Sequence, residues 1–280
     1  MSLSIVNNVA AAKGHRMLGQ AQGRLHMSME RLISGARINR ASDDPAGMAV
    51  STRLSADAQS MQQVQKNTRH ILALLDVAEG GMYAIASFLP RLRELAMQAA
   101  TDTNASDLAS IEDEYQGQIA ELTRVAQTTE YNNMRLLNRS GPAGLTNDYE
   151  FQIGINTTSS DTLTLSTNSM ASRVDILGLH NSTVATKSDA ETTIGLVDVA
   201  IERIATKMSL LAAARNKVEG AEEHVETMRL SHEQAAGRIR DADLALESAQ
   251  VMRQEIILRS GSMALAQSNQ QPLIALELIR

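Results

Sequence analysis

The sequence contains no cysteine among its 280 residues. This absence excludes disulfide bonds, thiolate metal sites and cysteine nucleophiles. Tryptophan is also absent and aromatic residues make up only 2% of the chain, whereas methionine occurs 14 times. The core must therefore be built from Leu, Ile, Val, Ala and Met, a composition that suits the packing of helix against helix.

Long apolar runs are missing as well. No stretch of about eighteen consecutive apolar residues occurs, and the segment Met1 to Arg16 lacks a cationic start followed by an apolar run. We therefore expect neither insertion into a membrane nor a cleaved signal peptide. The net charge of -6, with an acidic surplus in residues 101–131, argues against nucleic acid as a partner.

Patterns that would carry chemistry are scarce. No two of the six histidines have metal-ligand spacing, and the chain has neither a phosphate-binding loop nor a nucleophile elbow. Acidic pairs at Asp43 and Asp44 and at Glu112 and Glu114 are explained by helix capping and a solvated face. We predict no catalytic residue, no metal and no cofactor. The alternative hypothesis is an enzyme or binding module on a helical scaffold, and only these acidic clusters support it.

One apolar stripe dominates the first half of the chain. Its members alternate steps of three and four residues, which is typical of a long packed helix: Met61, Val64, Thr68, Ile71, Leu75, Ala78, Met82, Ile85, Leu89, Leu92, Ala96 and Ala99. The pattern predicts a helix over 45–100, capped by Asp44 and begun by Pro45. Pro90 is expected to bend this helix or shift its register.

Two further helices and one hairpin complete the predicted middle of the chain. Apolar spacing predicts helices over 106–130 and 188–236, the latter opened by a capping box at Ser188 and Glu191. A period of two predicts a β-hairpin region at about 140–170, with its turn at 156–161. The side chains that we expect to hold these rod-like helices together are Ile71, Leu75, Ile85, Leu92, Ile201, Ile204 and Leu211.

The two chain ends carry stripes of their own. Apolar residues recur there at close to seven-residue spacing, namely Leu18, Leu25, Met29 and Leu32 near the start and Leu244, Val251, Leu258 and Leu265 near the finish. An isolated amphipathic helix is marginal in water, so each end needs a partner. The predicted fold class is mainly α, with long coiled-coil helices from both ends and a helical rod carrying a small β-hairpin.

Three separated motifs resemble one family. ERLISGARIN at Glu30 to Asn39, followed by SDDPAG at Ser42 to Gly47, resembles the N-terminal signature of bacterial flagellins. ILRSGSMALAQSNQQPLIALELIR at Ile257 to Arg280 is similar to their C-terminus, and RLRELAMQ at Arg91 to Gln98 to their central helix. The resemblance covers roughly residues 1–140 and 186–280 in order.

The resemblance implies a structural subunit of the bacterial flagellar filament that serves motility, in a short form without the variable outer domains. It implies a filament-core helix at 1–44 that pairs with another at 237–280, and a rod domain at 45–236. The eight residues of the end stripes would then be filament-core packing residues. A hook-associated protein of the hook–filament junction shares the terminal helices and is the alternative.

The same resemblance implies partners and a location. Flagellins are exported unfolded, so the flagellar export apparatus, an export chaperone, the filament cap and hook-associated proteins are implied beside other flagellin subunits. The place would be extracellular, in the filament. A contact with a Toll-like innate-immune receptor maps onto Arg91, Leu95 and Glu114, for which subunit packing alone is the competing interpretation.

Overall fold

A computed structural model describes residues 8–101, 107–138, 148–166 and 170–279, with side chains described up to residue 270. Helices dominate these residues: α1 Val9–Ser34, α2 Pro45–Ala99, α3 Leu108–Thr128, α4 Val174–Leu177, α5 Lys187–Arg240 and α6 Leu244–Ile279. The strands are β1 Glu130–Tyr131, β2 Met134–Arg135, β3 Tyr149–Gln152 and β4 Thr162–Leu165. The predicted mainly α fold with a small β-hairpin is confirmed.

The chain divides into two compact units. The terminal unit comprises Met1–Ala58 and Leu230–Arg280, so it joins the two chain ends. The central unit comprises Gln59–Arg229. Both boundaries fall inside long helices, α2 and α5.

The core of the central unit is organised by α2. All twelve residues of the predicted stripe are buried, and none exposes more than 5% of its surface. The nine stripe residues from Ile71 to Ala99 form one apolar cluster with residues of α3, the hairpin and α5, such as Tyr115, Leu163 and Val197. Met61 and Val64 belong to a second, smaller cluster with Val225. Pro90 lies inside α2 on its exposed side, and the helix continues past it to Ala99.

One of the described helices, α2, is long and apolar enough to cross a membrane by length and composition alone. Part of the apolar surface of α2 packs in the core of the central unit, where Ile71, Leu75 and Ile85 are buried. Core helices of soluble proteins pass the same test, so the observation is weak evidence for a span.

Two antiparallel ribbons stand beside the helices. The β3–β4 hairpin pairs Tyr149 with Leu165 and Phe151 with Leu163, within the predicted region. The rest of that region, 139–147 and 167–169, lies outside the described residues. The β1–β2 ribbon was not predicted from the sequence, although Asn132 and Asn133 carry the signal: both have positive φ, which a tight two-residue turn requires.

The helix ends differ from prediction in several places. The helix expected over 188–236 continues to Arg240, and the C-terminal helix expected over 237–280 begins at Leu244. The segment expected to be helical through residue 44 ends as α1 at Ser34, because Gly35 takes the left-handed conformation (φ 70°) that stops a helix. The capping box expected at Ser188 and Glu191 lies two residues earlier. Thr186 Oγ1 accepts from the backbone N–H of Asp189 at 3.2 Å and donates to its carboxylate at 2.5 Å, so the helix starts at Lys187.

Candidate helix-pairing site at the chain ends

The two terminal helices lie side by side and antiparallel. Near the start of α1, the amide of Asn8 donates to the carbonyl of Ser268 at 2.9 Å. Near the other end, Arg31 Nη1 lies 3.2 Å from Glu247 Oε1. Residues later in α1 therefore contact residues earlier in α6, as expected for two antiparallel helices in one continuous register.

Leucines of each helix fill gaps left by glycines of the other. A Cβ placed on Gly14 would lie only 2.7 Å from Leu265 Cδ1, and a Cβ placed on Gly261 would lie 2.7 Å from Leu18 Cδ2. Each leucine therefore occupies the space that a side chain at the opposing glycine would need. This reciprocal arrangement is a knob-into-hole contact between α1 and α6.

Alanine substitutions of the glycines in α1 should have opposite effects. Gly23 has nothing within 4 Å of an added Cβ, so Gly23→Ala should raise helix stability by up to about 1 kcal/mol through propensity alone. Gly14→Ala gains the same propensity but displaces Leu265, so its net effect should be less favourable. Thermal unfolding followed by circular dichroism checks the order. Equal melting temperatures for the two variants would contradict the assigned contact.

Polar contacts fix the register where the C-terminal end of α1 meets the N-terminal end of α6. Glu247 is buried, whereas Arg31 remains partly exposed, so their ion pair is shielded on one side. Just beyond the two helices, the backbone N–H of Arg37 donates to the carbonyl of Arg240 at 2.6 Å, and that of Ala242 to the carbonyl of Gly35 at 2.9 Å. These backbone bonds tie the end of α1 to the start of α6.

The turn between α1 and α2 is built by two adjacent aspartates. Asp43 Oδ2 accepts from the backbone N–H groups of Arg40 at 3.1 Å and Asn39 at 3.2 Å. These bonds, with that from Arg40 the largest cause, lower the pKa of the Asp43 carboxyl. Asp44 Oδ1 accepts from Gly47 N–H at 3.0 Å, which is the helix cap predicted from the sequence. The aspartates thus have structural explanations.

The eight predicted packing residues of the chain ends fall into two groups. Six are half-buried: Leu18, Leu25, Leu32, Val251, Leu258 and Leu265. Met29 and Leu244 are exposed in the single chain. The side chains buried most deeply here were missed because they are small or polar and do not stand out in an apolar pattern: Ala11, Ala21, Ser28, Glu247 and Gln254.

The seven predicted rod residues lie in the apolar core of the central unit. Six of them are buried, namely Ile71, Leu75, Ile85, Leu92, Ile204 and Leu211. The seventh, Ile201, is half-buried and packs against the same cluster.

The three residues matched to a receptor contact do not share one environment. Arg91 and Glu114 are exposed and paired, with Arg91 Nη2 2.5 Å from Glu114 Oε1. Hydrogen bonds to Glu114 and then to Glu94 raise the pKa of the Arg91 guanidinium. Leu95 is buried in the core. Only the two charged side chains are presented to a macromolecular partner in this conformation.

An ion-paired cluster links α2 and α5 in the central unit and should make its stability depend on pH. Arg229 and then Gln65 hydrogen-bond Glu226 and lower the pKa of its carboxyl to about 2. Since the folded pKa lies below the ordinary value, the stabilisation is present above about pH 4.5 and is lost as the pH falls towards 2. Glu226→Gln should weaken the loss of stability between pH 5 and pH 2.5. Urea midpoints measured across that interval check this, with exposed Glu223→Gln as the matched control.

The acidic residues that motivated the enzyme hypothesis are engaged in holding the fold. Glu112 Oε2 accepts from the backbone N–H of Val184 at 2.5 Å, and Glu112 Oε1 accepts from Gln116 at 2.7 Å. Glu114 pairs with Arg91. Within the described parts of the chain, no group of three or more His, Asp or Glu side chains is arranged to hold a metal ion.

Family models match both the N-terminal and the C-terminal part of the chain. A family model of the bacterial flagellin N-terminal helical region matches residues 5–141, and one of the C-terminal helical region matches residues 194–279. A flagellin of Halalkalibacterium halodurans is 31% identical over 99% of both chains. The chain belongs to the bacterial flagellin family. The 33 kDa core protein of the flagellar filament of Treponema phagedenis is a further flagellin-like relative, 30% identical over 99% of both chains.

Solved structures extend the flagellin comparison to the fold. The crystal structure of Bacillus cereus flagellin matches with a TM-score of 0.50 at 26% identity, over 57% of this chain and 88% of that one. A putative flagellar hook-associated protein from Vibrio parahaemolyticus matches with a TM-score of 0.54 over 71% of this chain and 100% of that one. At 12% identity the second likeness concerns the fold alone.

Proposed function

We propose that this chain is a structural subunit that self-assembles into the helical flagellar filament used for bacterial motility. The observation that carries the proposal is the antiparallel pair of terminal helices, which leaves apolar side chains facing outwards. Full-length similarity to flagellins, including a relative named as a filament core protein, supports it. These similarities support a structural role.

The outward faces of the pair are unusually apolar for a free surface. Large apolar side chains are exposed on both α1 and α6: Val9, Met17, Met27, Met29, Ile33, Leu244, Leu246, Met252, Ile256, Ile257 and Met263. A soluble monomer rarely exposes so many together, and such surfaces mark interaction sites. A second copy of the chain is the partner that this surface fits, because packing between subunits would remove the apolar area from water.

We propose filament-core packing roles for all eight end-stripe residues. Leu18, Leu258 and Leu265 would hold α1 to α6 within a subunit. Met29 and Leu244, which the single chain leaves exposed, would pack between subunits. We further propose boundaries at residues 44 and 236 between the filament core and the rod.

We propose that the chain leaves the cell unfolded through the flagellar export apparatus, with an export chaperone, and that it becomes fully ordered on polymerisation. The absence of cysteine supports this route, because an unfolded chain without thiols cannot form wrong disulfides. The filament cap and hook-associated proteins would be its other partners, and the extracellular filament its place.

Recognition by a Toll-like innate-immune receptor is a separate proposal. Exposed Arg91 and Glu114 would provide the contact, whereas buried Leu95 would support the helix surface that presents them. The competing role is subunit packing. Arg91→Ala with Glu114→Ala should weaken receptor activation by monomers and leave polymerisation unchanged if the receptor role holds.

Electron microscopy of the purified protein after salting out tests the filament function. We expect long helical filaments at high protein concentration, because all contacts would come from copies of one chain. Short caps, or no polymer without a second protein, would contradict the proposal and favour the hook–filament junction function.

A further inference from the structure

Methionine is concentrated on the outer surface of the terminal helices. Met17 exposes 68% of its surface, Met252 60% and Met263 73%, and all three belong to the terminal unit. In the central unit, by contrast, Met61 and Met82 are at most 2% exposed. Thioether sulfurs of both kinds therefore exist in one chain, some open to solvent and some sealed in the core.

The two methionines of α6 belong to a second apolar stripe. Met252, Ile256 and Met263 are spaced by four and seven residues, which places them on one face of the helix. All three are strongly exposed. The residues that face α1, Val251, Leu258 and Leu265, are half-buried. The second stripe therefore points away from α1 and has its sulfur atoms at the surface.

We propose that Met17, Met252 and Met263 are oxidation sites whose conversion to the sulfoxide blocks polymerisation. This inference rests on the proposed function, because it assigns these side chains to packing between subunits. The co-reactant is a peroxide. A lone pair of the methionine sulfur attacks one oxygen of hydrogen peroxide, an S–O bond forms and the O–O bond breaks. The proton on the attacked oxygen passes to the departing hydroxide, which leaves as water. Sulfur loses two electrons and the peroxide gains them.

The chemical change is large enough to act as a switch. A sulfoxide replaces a flexible apolar thioether with a polar, chiral group, which disrupts surfaces rich in methionine. A polar oxygen buried between subunits without a donor disfavours packing, and one such group already shifts an equilibrium by about tenfold. Methionine sulfoxide reductases reverse the change, so the oxidised subunit is recoverable.

Met97 provides an internal reference outside the terminal helices. It is exposed to a similar degree, but its Sδ accepts a hydrogen bond from Arg93 Nη1 at 3.6 Å. That bond engages one of the two lone pairs of the sulfur and makes the sulfur a weaker nucleophile. We expect Met97 to be oxidised more slowly than Met17, Met252 and Met263, and faster than Met61 and Met82.

The test compares native monomers with a full leucine variant that carries Met17→Leu, Met252→Leu and Met263→Leu, before and after hydrogen peroxide. The full leucine variant also carries Met27→Leu and Met29→Leu, because those two methionines are exposed on α1 as well. A chain with Met27→Leu and Met29→Leu alone is the control and should remain as sensitive as the native chain. Leucine keeps the apolar volume and cannot be oxidised. We expect peroxide to raise the lowest polymerising concentration of the native protein at least about tenfold and to leave that of the full leucine variant nearly unchanged. Met97→Leu should remain as sensitive as the native chain. Sulfoxide reductase treatment should restore polymerisation.

Mass spectrometry of peptides identifies the oxidised residues without requiring polymer. Faster oxidation of Met61 and Met82 than of the three exposed methionines would overturn the inference. So would normal polymerisation of protein that carries all three sulfoxides, or equal sensitivity of the full leucine variant. Untreated native protein that fails to polymerise would instead contradict the proposed function, while the peptide map still reports on the oxidation sites.

Discussion

Removal of residues 265–280 should abolish filament formation while the central unit stays folded. The deletion takes away Leu265, the side chain that occupies the space over Gly14, together with the last part of α6. The first residues of α1, from Val9 to about Gly14, would lose their partner on α6. Sedimentation and electron microscopy of the truncated chain under polymerising conditions measure the result.

Two controls accompany this deletion. Circular dichroism should still show a cooperative melting transition, because the core around α2 lies in the central unit and contains no residue of the deleted segment. The point variant Leu265→Asp should weaken polymerisation in the same direction, since it places a charge against α1. Filaments formed by truncated protein would show that the terminal pair is dispensable.

Leu92→Ala should destabilise the chain by about 2–5 kcal/mol, the usual range for a leucine deleted from a packed core. Leu92 is fully buried in the middle of the α2 stripe and belongs to the large apolar cluster. Its removal leaves a cavity in a packed core, which surrounding side chains fill only in part. The free energy of unfolding from urea titrations measures the loss.

Val199→Ala is the matched control on α5. Its side chain is exposed, so its removal should change the free energy of unfolding by about 0.5 kcal/mol or less. Equal losses for the two variants would mean that the α2 stripe does not form the core. The Leu92 variant should also polymerise poorly near its lowered melting temperature, because a partly unfolded subunit cannot add to a filament.

The central unit was largely predictable because its signal is long and regular. Eleven apolar positions and Thr68, in alternating steps of three and four, fall on one helix face, and the structure buries every one of them. The hairpin turn near Asn156 to Asp161 was likewise signalled by a change of period. Asp44 and Pro45 marked the start of α2 through local capping chemistry, which needs no tertiary information.

The contacts between the chain ends were less accessible to sequence reasoning. The spacing of Leu18 and Leu265 shows that each end needs a partner, but it does not show which residue each leucine meets. Gly14 and Gly261 have low helix propensity, so the sequence gives no reason for them in a helix. The structure gives the reason, because each glycine leaves the space that the opposing leucine occupies. Burial of Glu247 has the same origin, since only pairing with Arg31 makes it acceptable.

The remaining differences between the predicted and observed helix ends have local causes. Thr186 and Ser188 can both cap a helix, and each is followed three residues later by an acidic residue. The hydrogen bonds between Thr186 and Asp189 make Thr186 the cap. Gly35 stops α1 well before residue 44 because the following residues pair with the segment that precedes α6. Two-residue strands such as β1 and β2 are too short for a periodic pattern.

Disulfide trapping inside assembled filaments tests the central claim, that α1 and α6 of one subunit pair antiparallel and thereby build the filament. The chain has no cysteine, so Leu18→Cys with Gly261→Cys gives a pair without background. We predict an intrachain disulfide in filaments, seen as faster migration of the single chain without reductant. Leu18→Cys with Met263→Cys should not cross-link within the chain. Filaments in which only the second pair closes, or in which the two cysteines of the first pair link different chains, would contradict the account.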